Sequence, residues 1–133
     1  MPFEPLESKR VYQRAEVVAD RVWDLVIDWE WFPKKTVGTQ LARAADSIGA
    51  NIAESAGRFH PGDVKNFLYF ARGSLQETRF WLRRAHSRGL ITPDALAALV
   101  AELDQLAREI NQCIAFQKTR ASAKMQPSNH PTT

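Results

Sequence analysis

The sequence predicts an all-α protein, an antiparallel four-helix bundle in which successive helices run up, down, up and down. Four segments carry apolar residues at alternating spacings of three and four, the period of one face of an α-helix. Short turns containing proline or glycine separate these segments, and no segment has the period-two alternation of a strand. The apolar period near seven predicts left-handed packing at shallow crossing angles.

The predicted bundle occupies residues 1–120, and residues 121–133 form a disordered tail because they lack an apolar period. Ser8 is expected to cap the first helix. That helix is expected to end near Trp31, because the residue before Pro33 disfavours helical backbone. Thr36 or Thr39 then caps the second helix. The four predicted helices span about 8–31, 36–56, 61–87 and 93–119.

Three aromatic residues, Trp29, Trp31 and Phe32, fall at the first corner of the chain. Large aromatic side chains mostly serve packing, so we expect these three to close one end of the bundle. The alternative is a cage for a ligand.

The second helix carries two stripes. Its apolar stripe consists largely of alanine, which permits the close approach of another helix. Its polar stripe includes Ser47, Asn51 and Glu54, and buried polar groups normally pair with one another. We therefore expect these three residues to form a structural hydrogen-bonded network between helices. A ligand-binding or nucleic-acid-binding surface is the alternative.

The third helix is too apolar for a single buried face. Tyr69 and Phe80 share a direction nearly opposite the core stripe, and Phe70 and Trp81 share a direction that flanks it. A second apolar face of this kind predicts a subunit interface in a cyclic homo-oligomer.

Basic residues accompany that apolar face. Lys65, Arg72, Arg79 and Arg83 repeat along one side of the third helix, a pattern suited to phosphate contact. The alternative is that carboxylates of the fourth helix or of a neighbouring subunit pair with these side chains. Further candidate nucleic-acid contacts lie on the second helix, just after it and in the turn before it: Arg43, Arg58, Lys34 and Lys35.

Composition narrows the functional classes. The chain has 133 residues and a formal net charge of +3, which permits a nucleic-acid partner without requiring one. Its single cysteine, Cys113, lies in an apolar stripe and is interpreted as a buried, inert thiol. The sequence contains no metal-ligand spacing, phosphate loop or nucleophile elbow. We therefore expect a protein that is not an enzyme and has no metal or cofactor.

The first residues lack the apolar core of a signal peptide, and no run reaches the length of a membrane span. The sequence therefore predicts a cytoplasmic protein with no membrane partner.

Two sequence blocks resemble a known family, the small four-helix-bundle proteins encoded by intervening sequences in bacterial 23S ribosomal RNA genes. The resemblance covers about residues 10–118. Ser55 and Ala42 depart from it, since the family usually has glycine and a second arginine there. The first block comprises Gln40, Leu41, Arg43, Ala44, Ala45, Ser47, Ile48, Asn51, Ile52, Ala53, Glu54, Gly57 and Arg58, and the second comprises Phe67, Leu68, Ala71, Gly73, Ser74 and Glu77.

The resemblance implies an up-down-up-down bundle that is often assembled as a ring of five, in a family without an established activity. Accessory proteins of diversity-generating retroelements are similar in fold, and they bind nucleic acid and a reverse transcriptase. Together with the basic stripe, this leads us to expect a non-enzymatic oligomeric adaptor for structured RNA or other nucleic acid. The alternatives are a protein-interaction scaffold and, less favoured, a hydrolase using the polar stripe of the second helix.

Overall fold

The structure, a computed structural model, describes residues 5, 6 and 9–125, and it confirms the all-α class. Four long helices occur within these residues, and no strand does. The helices are α1 (Arg10–Val26), α2 (Thr39–Ala56), α3 (Pro61–Ser87) and α4 (Pro93–Met125). Before α2 lie a single α-helical turn, Trp31–Pro33, and a π-helical segment, Lys34–Gly38.

The helices pack around one hydrophobic core. Helix α2 packs against α1 and α3, and α4 packs against α3 and α1, so that α1 and α3 lie diagonally across the core. The predicted apolar stripe of α2 is fully buried, as is most of the stripe of each other helix. The largest fully buried side chains are Leu41, Ile48, Ile52, Leu75, Leu82, Leu103, Leu106, Ile110, Val18, Val22 and Thr78.

The first corner differs from its prediction. Helix α1 ends at Val26 rather than near Trp31, because Trp31 already begins the next helical turn. Pro33 is the third residue of that turn, where its missing N–H removes no intrahelical hydrogen bond. Thr36 does not cap a helix, since its Oγ1 donates to the carbonyl oxygen of Phe32 at 2.8 Å. Thr39 is not a cap either, because the residues before it are already helical.

The aromatic residues of this corner do not act as one plug. Trp29 is half-buried and packs against the core. Trp31 and Phe32 are 69% and 66% exposed, so the predicted end-closing role is wrong for both. A new helical turn begins at Trp31, and Trp31 and Phe32 occupy the positions of that turn that face away from the core.

Gly38 permits the π-helical segment to approach α1. The residue is buried, and a Cβ built on it would lie 2.7 Å from Val26 Cγ1 and 3.4 Å from Trp29 Cε3. A π-helical turn inside an α-helix shifts the register of the following residues. The turn therefore places Gly38 against α1 and Leu41 in the core.

The other helix ends follow standard capping. Gly89 ends α3 with a φ of 72°, a conformation that glycine adopts without a steric penalty. Thr92 Oγ1 accepts a hydrogen bond from the backbone N–H of Ala95 at 3.1 Å, so Thr92 is the N-cap of α4.

Helix α4 continues to Met125, five residues beyond the predicted boundary of the tail. Residues 121–125 include alanine, lysine and methionine, which are good helix formers. The helical turn before residue 121 contacts the connection between α2 and α3, because Arg120 Nη2 donates to the carbonyl oxygen of Phe59 at 3.2 Å. The remainder of the predicted tail, 126–133, and the predicted cap Ser8 lie outside the described residues.

Among the helices in the described part of the chain, none combines the length and the apolar content needed to cross a bilayer.

We predict that Gly38→Ala destabilises the fold by about 1–3 kcal/mol, because the added methyl group overlaps Val26 in a packed contact. Gly73→Ala is the matched control. Gly73 lies inside α3, and a Cβ there would meet nothing within 4 Å. We expect that change to stabilise by about 0.5–1 kcal/mol through helix propensity. Urea unfolding measures both, and equal midpoints for Gly38→Ala and the unaltered protein would contradict the role of Gly38.

Candidate nucleic-acid interface

The predicted basic stripe of α3 lies beside α4, and two of its arginines have partners there. Arg79 Nη2 forms a 2.8 Å ion pair with Asp104 Oδ1. Arg72 Nη1 donates to Asn111 Oδ1 at 3.1 Å, and its guanidinium lies 4.9 Å from the centre of the Tyr69 ring. The charge of Arg79 is therefore compensated by a carboxylate. Arg72 contacts only a neutral amide and an aromatic ring among these partners, so its positive charge is not compensated.

On α2 and α3, three other predicted cations have no carboxylate partner among residues 5, 6 and 9–125: Arg43, Lys65 and Arg83. Arg43 and Arg83 are exposed, and Lys65 is half-buried. Arg58 differs from these, because its Nη2 lies 3.2 Å from Glu54 Oε2 while its guanidinium stacks 4.6 Å from the Phe67 ring centre. Arg58 is thus held over α3 by an aromatic contact.

The lysines of the first corner lie in a different place. Lys34 lines a depression between α1 and α2 together with Trp23 and Ile27. Lys35 Nζ lies 4.7 Å from the centre of the exposed Trp31 ring. The structure therefore does not bring this predicted pair of lysines onto the stripe of α3.

The predicted interface aromatics divide into two kinds. Phe70 and Phe80 are 57% and 53% exposed, as expected of an interface. Tyr69 and Trp81 are half-buried and pack against the core, so they offer less exposed surface than Phe70 and Phe80 do. Phe80 and Trp81 meet edge to face at a centroid distance of 4.9 Å, which orients the exposed Phe80 ring on the surface of α3.

A polar seam joins α2 to α3. The hydroxyl groups of Ser47 and Ser74 share a 2.9 Å hydrogen bond, and Asn51 Nδ2 donates to Ser47 Oγ at 3.1 Å and to the Ser47 carbonyl oxygen at 2.9 Å. Thr78 Oγ1 donates to the carbonyl oxygen of Ser74 at 2.8 Å. Glu54 takes no part, because its carboxylate turns to Arg58. The seam is satisfied internally, as expected for a structural network.

Sequence reasoning missed a charged cluster between α1 and α4. Arg14 Nε donates to Glu109 Oε1, and Arg14 Nη1 lies 3.2 Å from Glu102 Oε2. Arg21 lies 3.8 Å from the other oxygen of Glu102. The Glu109 side chain is only 8% exposed, and its Oε2 has no hydrogen-bond partner among the described residues. The hydrogen bond from Arg14 to Glu109 is the main reason that the pKa of the guanidinium is raised.

Cys113 is half-buried beside this cluster and packs against the core. Burial raises the pKa of its thiol, while the nearby positive charge of Lys9 acts in the opposite direction. A protonated thiol is a poor nucleophile, which fits the predicted inert role.

Within the described residues, no group of three or more histidine, cysteine, aspartate and glutamate side chains is arranged to hold a metal ion. The two histidines in these residues, His60 and His86, stand at the ends of α3, far apart along the chain.

Comparisons with known proteins agree with this fold. The profile of the 23S rRNA-intervening sequence protein family matches residues 7–112, so the chain belongs to that family. A crystal structure of a protein of unknown function from the S23 ribosomal protein family of Bacteroides thetaiotaomicron VPI-5482 is similar in fold, with a TM-score of 0.69 and 24% sequence identity. The similarity covers 78% of this chain and 97% of that one. No curated protein matches the sequence.

We predict that Arg14→Met destabilises the fold by about 3 kcal/mol, because it leaves the Glu109 carboxylate buried without its cation. The double change Arg14→Met with Glu109→Met should regain most of that loss, since neither charge then remains buried. Arg21→Met is the control, and its exposed ion pair should contribute less than about 1 kcal/mol. Urea unfolding of all three tests the cluster. A double variant no more stable than Arg14→Met would contradict the account.

We also predict that Cys113 reacts slowly with iodoacetamide at pH 8. Because the pKa of the thiol is raised in the folded state, less thiolate is present than in an exposed cysteine. The midpoint of the rate–pH curve should lie above that of the same protein unfolded in urea, which serves as the internal control. Equal midpoints in the two states would show that burial does not control this thiol.

Proposed function

We propose that this protein is a non-enzymatic, cytoplasmic, oligomeric adaptor that binds structured RNA through the cations flanking α3. Its helices run up-down-up-down with left-handed packing, and copies associate so that each repeats the same basic surface. We take the number of subunits as five, and this number rests on the family resemblance alone.

The observation that carries the proposal is the set of cations around α3 without a carboxylate partner in the described part of the chain. Lys65, Arg72 and Arg83 lie on its α4 side, and Arg43 lies on α2, the other neighbour of α3. Uncompensated cations on both flanks of one long helix favour an extended polyanion over a single small anion.

The stacked arginines suggest how the surface meets its ligand. Arg58 lies on Phe67 and Arg72 lies on Tyr69, so each guanidinium is oriented by an aromatic face. A guanidinium held in this way loses less conformational freedom when it binds a phosphate. Side chains on a rigid helix read the phosphates and shape of an RNA duplex more readily than its sequence.

Oligomerisation would strengthen such contacts. Several identical basic surfaces on one particle convert weak phosphate contacts into avid binding, provided that one RNA spans them. The family takes its name from intervening sequences of 23S rRNA, and the structural relative belongs to a family named for a ribosomal protein. A ribosomal RNA hairpin is therefore the sensible first probe.

We predict that the double change Lys65→Glu with Arg72→Glu weakens binding of a labelled ribosomal RNA hairpin by about tenfold or more, because each reversal removes a phosphate contact and adds repulsion. The slope of log Kd against log salt should fall in magnitude by about two. Fluorescence anisotropy at several salt concentrations measures both quantities.

The matched control is Arg10→Glu with Arg108→Glu, which makes the same change in net charge at exposed positions of α1 and α4. Arg108 bonds to Gln105, a neutral neighbour on its own helix, so its reversal breaks no ion pair of the described residues. Equal weakening in both double variants would show that net charge, rather than the α3 surface, controls binding.

A second candidate function is a protein-interaction scaffold without a nucleic-acid role. The exposed Phe70 and Phe80 favour it, because two large apolar side chains on one helix commonly mark a protein interface. Under this alternative, changing Phe80 would remove the partner while Lys65→Glu with Arg72→Glu would leave it bound.

A further inference from the structure

A cavity of about 310 Å³ lies at one end of the bundle, and its wall includes Lys9, Ile52, Leu68 and Arg120. We propose that this end cavity binds an anion with a hydrocarbon chain, such as a medium-chain fatty acid, whose carboxylate pairs with Lys9 and Arg120. This binding site goes beyond the proposed function and does not depend on RNA binding.

Every helix of the bundle contributes to the wall of the end cavity. The first residues of α1, the end of α2, the start of α3 and the C-terminal part of α4 surround it, together with Leu6 before α1. Small-molecule sites of helical proteins commonly lie between helices in this way, and their volumes begin at about 300 Å³. The end cavity is therefore large enough for a small ligand.

The inner wall of the end cavity is apolar. Ile52, Val64 and Leu68 line it and are buried, so the cavity reaches the hydrophobic core. Phe116 also lines it and is 61% exposed, so this ring lies where the cavity opens to solvent. A ligand with an apolar body would contact the core side chains and cover the exposed ring, and both effects favour binding.

Polar side chains of this wall are already engaged with protein partners. Ser55 Oγ donates to the carbonyl oxygen of Ile52 at 2.6 Å, and Gln117 Oε1 accepts from Arg120 Nη1 at 2.7 Å. The thiol of Cys113 is only a weak hydrogen-bonding group. A buried nucleobase or sugar would leave polar groups without partners here, which is costly. The wall therefore suits a hydrocarbon chain better.

The charged residues of this wall are cations. Among the described residues, Lys9, Arg58 and Arg120 line the cavity and no carboxylate does. Arg58 is partly compensated, because it pairs with Glu54 while it stacks on Phe67. Lys9 and Arg120 form no ion pair within the described part of the chain. Charge complementarity therefore selects an anionic head group.

Both uncompensated cations are well placed for that head group. Burial raises the pKa of the Cys113 thiol and the charge of Lys9 acts in the opposite direction, so the ammonium group acts on a side chain of the cavity wall. Arg120 is oriented by its hydrogen bonds to Gln117 and to the carbonyl oxygen of Phe59. A guanidinium oriented in advance loses less conformational freedom when it binds a carboxylate.

Isothermal titration calorimetry with sodium decanoate tests the site directly. Decanoate should bind with a Kd of about 100 µM or tighter. In the series hexanoate, octanoate and decanoate, each added methylene should tighten binding about fourfold, because each is removed from water by the apolar wall. Decanol and decyltrimethylammonium keep the chain without the negative charge, and they should bind about tenfold more weakly or worse.

A cavity-filling variant tests where the chain binds. Ala56→Trp places a large ring into the cavity from an exposed position at the end of α2, and it should abolish decanoate binding. Ala101→Trp, at an exposed position of α4 that does not line the cavity, is the matched control. This control should bind decanoate as the unaltered protein does.

A charge-neutralising variant tests where the head group binds. Lys9→Gln with Arg120→Gln should weaken decanoate binding about tenfold or more and leave the weaker binding of decanol unchanged. The control is Arg88→Gln with Arg108→Gln, which removes the same charge from exposed positions outside the cavity wall. Circular dichroism of every variant confirms that it is folded.

The proposal is overturned if decanoate shows no saturable binding, if affinity does not depend on chain length, or if decanol binds as tightly as decanoate. It is also overturned if Ala56→Trp binds as tightly as Ala101→Trp, or if the two double variants weaken binding equally, since net charge alone would then hold the anion. RNA binding is measured without decanoate, so its failure leaves this site unaffected.

Discussion

Close packing of small residues on α2 is the constraint on which the rest of this structure depends. Ala44 and Ala45 are buried. Gly38, directly before α2, lies so close to α1 that even a methyl group would overlap Val26. Because α2 presents so little side-chain bulk, α1 and α3 both approach it closely. The hydroxyl groups of Ser47 and Ser74 can meet only because the two backbones are near one another.

This packing also decides which surfaces remain for binding. Helix α3 uses one side for the core, one edge for the seam with α2 and one edge for its ion pair with α4. Its outward face is left with Phe70, Glu77, Phe80 and the arginines that follow. The basic side chains around it are uncompensated for a physical reason, since the carboxylates of α1 lie across the molecule. Among the described residues of α4, Asp104 is the carboxylate that reaches the stripe.

The interior of each helix could be predicted from periodicity, because burial repeats with the helical turn. The predicted apolar stripe of α2 is observed to be buried. The prediction for the corner at Pro33 was wrong, since a proline in the first turn begins a helix as readily as it ends one. Arg79 pairs with a carboxylate only if α4 is rotated about its axis so that Asp104 faces α3. The residue pattern of α3 alone does not determine that rotation. The same applies to Arg14 and Glu109, which are 95 residues apart in the chain.

The central claim is that the cations around α3 bind the phosphates of a structured RNA, and a salt titration of the unaltered protein tests it most directly. Binding of a ribosomal RNA hairpin is measured from low to physiological salt, with a DNA duplex as the comparison. The account predicts a Kd of about 1 µM or tighter at physiological salt, and a log–log slope equivalent to about three or more phosphates. Absence of binding at physiological salt, or a slope near zero, would contradict it.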